Sequence, residues 1–238
     1  MLRPPLSPRR VYGRHRDRGG VVLASLRDAA GNTTVRGLDH DARWTGVTYP
    51  PEQFRVDAHA LDGVELLGSA TVQDMPWSEP AVTVLASTAR PSSDPPPRCR
   101  HRPAPGSALR VPPGVSAKMA QDELTAQLES VAPWHARVHV EAESYGEPFA
   151  AAIGGPAHAA MWSALELAFG RPTTTAARGG SISLCNAFRD TYPDAELMLI
   201  GVEEPRCLIH APNESVAPSE IEHMALAEAL FLSNYPTA

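Results

Sequence analysis

The sequence contains no apolar run of about 18 residues, the length a membrane-spanning helix needs, so no segment reads as a transmembrane span. The first 20 residues, MLRPPLSPRRVYGRHRDRGG, lack the apolar stretch of a secretory signal, and a cytoplasmic location is expected. Cysteine is scarce: Cys99, Cys185 and Cys207 form no CxxC pair, which argues against a disulfide framework or a thiolate metal site. Lysine is missing from both basic stretches, residues 1–20 and 88–106, and aromatic residues are few there. Without aromatic faces for base stacking, those stretches do not read as nucleic-acid binding.

What is present suits a globular protein. Across 238 residues, 43 % are hydrophobic and 20 % charged, enough for one or two packed cores. The net charge of −6 is unevenly spread. Residues 1–20 carry six Arg and one Asp, residues 88–106 four Arg and one Asp, and the rest is strongly acidic. The segment TARPSSDPPPRCRHRPAPG (88–106) also holds six prolines. Each proline removes an N–H donor and fixes φ, so this segment is expected to be a disordered insert or surface loop.

The remaining sequence is patterned. VVLASLRDA (21–29) reads as a helix end closed by Gly31 and Asn32, NTTVRGL (32–38) as a strand, and PPEQFRVDAHALDG (50–63) as a short helix stopped by Gly63. SALRVPPG (107–114) predicts a strand and turn. Residues 116–131 predict a helix with Ala120, Leu124, Leu128 and Val131 on one face, and ARVHVEAES (136–144) alternates as a strand. Strand, helix and strand in that order suggest a βαβ-like unit and an α/β layer. Farther on, residues 156–170 predict a helix ended by Gly170, and 179–193 a Gly-Gly turn entering a helix. AELMLIGV (195–202) has the continuous apolar run of a buried strand. Ser219 with Glu222 reads as a capping box for a final amphipathic helix.

Three patterns carry candidate chemistry. His210, in a loop beyond a buried strand, sits where α/β proteins place ligands, and the Pro-Asn-Glu step after it could fix the ring. A surface or capping histidine is the plain alternative. Gly179 and Gly180 before a helix start let the backbone approach an anion, with Ser181 adding a hydroxyl; a simple tight turn would use the same glycines. His15-Arg16-Asp17 has metal-ligand spacing but follows basic, Pro-rich residues instead of an apolar strand. The Glu203-Glu204 pair and His40 between two aspartates read as solvated charge.

Taken together, GGSIS, AELMLIGVEEP and IHAPNESV resemble the C-terminal part of the co-catalytic zinc metallopeptidases of the carnosinase, succinyl-diaminopimelate desuccinylase and carboxypeptidase G family, its dipeptidases most closely. The segment from GNTTVRGLDHD to DGVELLGS resembles the start of that family's inserted lid, or dimerisation, domain, and ALRVPPG its lid strand. The resemblance covers most of residues 21–87 and 107–236. It implies an α/β fold in which an α/β-sandwich lid (21–147, with the Pro/Arg-rich insert at 88–106) follows an irregular basic N-terminus (1–20). The C-terminal part of the catalytic α/β domain (148–238) would come last. It further implies peptide substrates, a homodimer formed through the lid, and zinc held in part by His210. Arg110 would grip the substrate carboxylate, and Gly179, Gly180 and Ser181 would touch the substrate beside the metal.

The sequence also departs from that pattern. The family's apolar strand ending in His-x-Asp, its bridging Asp, its Glu-Glu pair and a further Asp ligand have no counterpart here, nor does the lid's His-Ser-Gly motif. Ser183 stands where the family commonly has proline, and Ala177-Arg178 where it has Arg-Glu or Arg-Gln. A catalytic zinc takes about three protein ligands plus water, so weak or absent metal binding and no activity of the isolated chain are expected. The alternative is a non-catalytic dimerisation or binding module.

Overall fold

A computed structural model describes residues 20–38, 43–86, 106–142, 145–176 and 182–235. The chain divides into two compact units, one of residues 1–43 and 66–148, the other of 44–65 and 149–238.

The first unit is built on an antiparallel pair of strands, β1 (Ala81–Ala86) and β2 (Gly106–Arg110), with Val82 opposite Leu109 and Ala81 opposite Arg110. The register slips between Val84 and Ala86, and the ladder ends at the pair Ala86–Gly106. Against it lies a 14-residue helix, Ala117–Ser130. Ser116 caps that helix, its hydroxyl accepting from the Met119 amide at 3.3 Å, and the Glu147 carboxylate accepts from the Ala117 amide at 2.8 Å. The expected face is the buried one: Ala120, Leu124 and Leu128 join Val22, Leu26, Val35, Leu38 and Val82 in a single apolar cluster, with Val131 at its edge. Gln127, on the same face and 4 % exposed, spans the cluster by accepting from the Arg36 amide (3.0 Å) and donating to the Ser25 carbonyl (2.9 Å). A buried amide is tolerated because both of its ends are satisfied.

Two expected strands of this unit are not paired strands. Residues 32–38 make only an isolated bridge, Arg27 to Thr33, although Val35 and Leu38 are buried as their apolar character demands. Residues 136–142 keep the alternation of a strand, Val138 and Val140 packing on the cluster while Arg137, His139 and Glu141 are exposed, but they join no ladder. Alternation reports which side chains are buried; a strand needs backbone partners as well. The expected βαβ-like unit is therefore replaced, among the described residues, by a hairpin pair, a helix and an extended segment.

The second unit is mostly helical. Pro51–Asp57 forms a short helix that ends at Asp57 and not at Gly63 as expected; beyond it the Arg55 guanidinium holds the chain in a turn by donating to the carbonyls of Leu61 and Val64. Pro156–Phe169 (here α4, counting Pro51–Asp57 as α1, Asp74–Trp77 as α2 and Ala117–Ser130 as α3) packs against α6, Pro218–Asn234. Small residues are buried on both helices, Ala164 and Ala168 on α4 and Ala227 on α6. Gly170 ends α4 as expected, in the left-handed conformation (φ 64°), with its amide on the Glu166 carbonyl. Between them, Ser183–Thr191 forms α5, with Ile182 as its N-cap.

Two further expectations fail here. Residues 195–202 form no strand, and Leu199 and Ile200 are 54 % and 43 % exposed. Their apolar run suits a strand, but no described segment pairs with them. The capping box of Ser219 and Glu222 is not made either: Pro218 occupies the first helical position, so the N-cap is Ala217, and no side chain caps the helix. A proline pre-set for a helical start moves that start ahead of the serine. In the first unit, Leu26→Ala, which empties a site only 1 % exposed, should cost about 2–5 kcal/mol by denaturant unfolding; Leu61→Ala, at a position 74 % exposed, should change stability by less than about 0.5 kcal/mol.

Candidate functional site

The segment from Glu204 to Ala217 presents His210. It opens with a single turn of 3-10 helix, Pro205–Cys207, capped by Glu204, whose carboxylate accepts from the Arg206 amide at 2.9 Å. Cys207 is buried and anchors the loop: its carbonyl accepts from the Ser215 amide at 2.9 Å, closing the stretch between them. Inside that closure the Ala211 amide bonds to the Leu208 carbonyl (2.8 Å) and the Glu214 amide to the Ala211 carbonyl (3.2 Å). Three non-glycine residues take left-handed backbone, Leu208 (φ 54°), His210 (φ 63°) and Asn213 (φ 67°). Asparagine tolerates this conformation; leucine and histidine do so at a cost of about 1 kcal/mol or more each, and such strain persists only where the surroundings enforce it. Part of the enforcement comes from Glu214, whose side chain accepts from the His210 amide at 3.3 Å. The Pro-Asn-Glu step thus fixes the backbone of the loop, with the His210 side chain at the surface.

The other sequence candidates are placed as follows. Arg110 is the exposed last residue of β2 in the first unit, while His210 belongs to the second. Gly179, Gly180 and Ser181 lie outside the described residues, as do residues 1–19, which include His15 and Asp17, together with His40 and the segment 87–105. Ser183 begins α5. The Glu203-Glu204 pair is divided in role, Glu204 capping the turn and Glu203 lining a shallow cleft with Val202, Cys207, Glu214, Ser215 and Val216. Among the described residues, no three His, Cys, Asp or Glu side chains gather as a metal ion would require. The described donors do not complete a metal centre around His210.

The most developed polar cluster of the second unit involves neither His210 nor the glycines. Helix α4 begins after Gly155, which offers no capping side chain, so its first amides need an acceptor from elsewhere. Glu196 supplies it. Its carboxylate accepts from the amides of Ala157 (3.0 Å) and His158 (2.9 Å) and pairs with the His158 Nδ1 at 2.7 Å. His158 is 4 % exposed. A methyl group on Gly155 would overlap the Glu196 carboxylate, so a larger residue there would have to displace that carboxylate from the helix start. The Ala157 amide first, then the His158 amide, hold the Glu196 carboxyl below its ordinary value of 4.5; burial opposes them in part, and the His158 ring adds to the lowering. Residue patterning missed this cluster because the partners are 38 positions apart. The available signal was a helix start, Gly155-Pro156, with no capping residue of its own.

No family model matches the sequence. The chain is 40 % identical over 217 residues to the cysteinylglycine-S-conjugate dipeptidase of Corynebacterium striatum, a match covering 90 % of this chain and 48 % of that protein. By sequence the chain is thus a relative of a dipeptidase. It spans about half the length of the curated relative it matches. Solved structures share its fold: human carnosine dipeptidase 1 (TM-score 0.64, 19 % identity, 89 % of this chain and 47 % of that one) and the di-peptidase Dug1p of Saccharomyces cerevisiae (0.63, 17 %, 91 % and 48 %). An M20 family metallo-carboxypeptidase from Sulfolobus solfataricus matches similarly (0.62, 15 %, 91 % and 51 %). The α/β class expected from the sequence is the class of these neighbours, and the family named by its motifs is the family of the relatives. The Sulfolobus neighbour is named a metallo-carboxypeptidase, which implies a metal cofactor in that protein.

Two outcomes test this geometry. Glu214→Ala should leave the unit folded but loosen the loop, seen as faster hydrogen exchange at residues 208–215 with no change in α4. The Glu196 carboxyl titrates lower in the folded chain than in the unfolded one, so its stabilisation is complete well above pH 4.5 and is lost as pH falls through the depressed folded value. A series of unfolding curves from pH 7 to pH 3 should therefore show an acid limb that Glu196→Gln flattens.

Proposed function

We propose that this chain supplies part of a metal-dependent dipeptidase acting on short peptides, with His210 as one ligand of a catalytic zinc pair. The observation that carries the reading is the 40 % identity to a dipeptidase over 90 % of the chain, joined to a histidine held on a strained, internally bonded loop. In this reading residues 21–147 are the lid through which the chain forms a homodimer, and residues 148–238 belong to the catalytic domain. Arg110 takes the substrate carboxylate, for which a guanidinium fork is well suited, and Gly179, Gly180 and Ser181 line the peptide. The setting is the cytoplasm.

His210 by itself cannot position and activate a water. A co-catalytic pair requires bridging oxygens between metals about 3.5–4 Å apart, and among the described residues no cluster of His, Cys, Asp or Glu supplies them. The second reading, a non-catalytic dimerisation module, is favoured by one observation, the lack of a three-ligand cluster among the described residues. Calorimetric titration of the purified chain with zinc separates the possibilities. We expect weak binding that His210→Ala abolishes, and no hydrolysis of cysteinylglycine-type dipeptides above the zinc blank. A tight pair of zinc sites per chain would refute the expectation that ligands are missing. Zinc binding indifferent to His210→Ala would remove His210 from the site and favour the module.

A further inference from the structure

Asp62-Gly63 is the one step in the sequence at which an aspartate or asparagine precedes glycine. It forms the centre of a tight turn beyond α1, closed by the Val64 amide donating to the Leu61 carbonyl at 3.2 Å, with Gly63 in the left-handed region (φ 79°). Arg55 pins the two ends of the turn, donating to the carbonyls of Leu61 (3.0 Å) and Val64 (2.7 Å). The middle stands free. Leu61, Asp62, Gly63 and Val64 are all exposed, and a methyl group on Gly63 would meet nothing within 4 Å. Among the described residues nothing hydrogen-bonds the Asp62 carboxylate or the Gly63 amide. Other aspartates are occupied: Asp28 accepts from the amides of Ala30 and Asn32, Asp57 accepts from Tyr49 and Gln53, and Asp74 is buried.

Ring closure between an aspartate side chain and the next peptide nitrogen needs a nitrogen free of other bonds and a carboxyl free to turn toward it. It also needs a following residue without a Cβ to crowd the attack. The turn offers all three. We propose that Asp62 is a site of spontaneous isomerisation to isoaspartate. The Gly63 nitrogen attacks Cγ of the protonated Asp62 carboxyl; the N–Cγ bond forms, and the amide proton and the carboxyl hydroxyl leave as water. Water then opens the resulting succinimide at either carbonyl. Opening at Cγ restores aspartate. Opening at the Asp62 main-chain carbonyl leaves Gly63 joined through Cγ, with the former main-chain carbonyl now a free carboxylate. One water leaves and one returns, so nothing is oxidised or reduced. The isomerised chain carries one more main-chain carbon between Leu61 and Val64, so Arg55 can no longer hold both carbonyls, and the segment beyond α1 is released. The new carboxylate is the group that isoaspartyl methyltransferases accept.

The test keeps the purified full chain at 37 °C and pH 7.4 and locates isoaspartate by methyl transfer from labelled S-adenosylmethionine, using an isoaspartyl methyltransferase, followed by peptide mapping. Label should concentrate on the peptide holding Asp62, at least fivefold above the peptide holding Asp194, which is also exposed but precedes alanine. Asp62→Glu, which could close only a six-membered ring, should remove that label and leave the remainder unchanged. In the isomerised fraction the Val64 amide should lose its protection against hydrogen exchange while α4 keeps its own. Label elsewhere with Asp62 unmodified would overturn the proposal. So would label on that peptide that survives Asp62→Glu, or label no stronger there than at Asp194. A Val64 amide still protected in the isomerised fraction would refute the release of the turn.

Discussion

Two glutamates, each about 30 to 40 residues from the helix it serves, hold this structure together in the places where sheet hydrogen bonding is missing. Glu147 seats its carboxylate on the first amides of α3, and Glu196 does the same for α4. A helix start leaves its first N–H groups without intrahelical partners and carries partial positive charge, so a carboxylate is the best acceptor it can find. In both units the glutamate belongs to chain with no ladder, so the helix start does for this chain part of what a neighbouring strand would otherwise do. At Glu196 the fit leaves no room for a side chain on Gly155 unless the carboxylate moves, and the paired His158 is buried.

This anchoring matters for the loop that follows. From Glu196 the chain runs through the apolar segment to Val202, then into the capped turn at Pro205 and the strained loop at His210. The position of His210 relative to α4 is thus set at one end by the Glu196 clamp and at the other by buried Cys207 and its bond to Ser215. The strain at Leu208 and His210 can persist because both ends are fixed.

Apolar surface is distributed unevenly between the two units. Leu167, Leu184, Leu199, Ile221 and Leu232 are all substantially exposed in the second unit, more than the solvated face of a finished domain usually carries. By contrast, the cluster around Leu26 and Leu124 in the first unit is closed, and the helix face that builds it was readable from spacing alone.

Local chemistry and periodicity were legible in the sequence. The α3 face, the Gly170 stop and the β2 strand follow from side-chain period and from backbone preferences that act within a few residues. The segment around His210 likewise pointed to the dipeptidases, because the residues that carry that resemblance are neighbours in sequence. Tertiary structure decided the rest. Segments 32–38, 136–142 and 195–202 carry the composition of strands, yet pairing depends on a second backbone that no local pattern supplies. The start of α6 was settled by Pro218, and the role of Glu204 by the turn it caps. The contact of Glu196 with His158 joins residues 38 apart, and only the folded chain brings that carboxylate to that helix start.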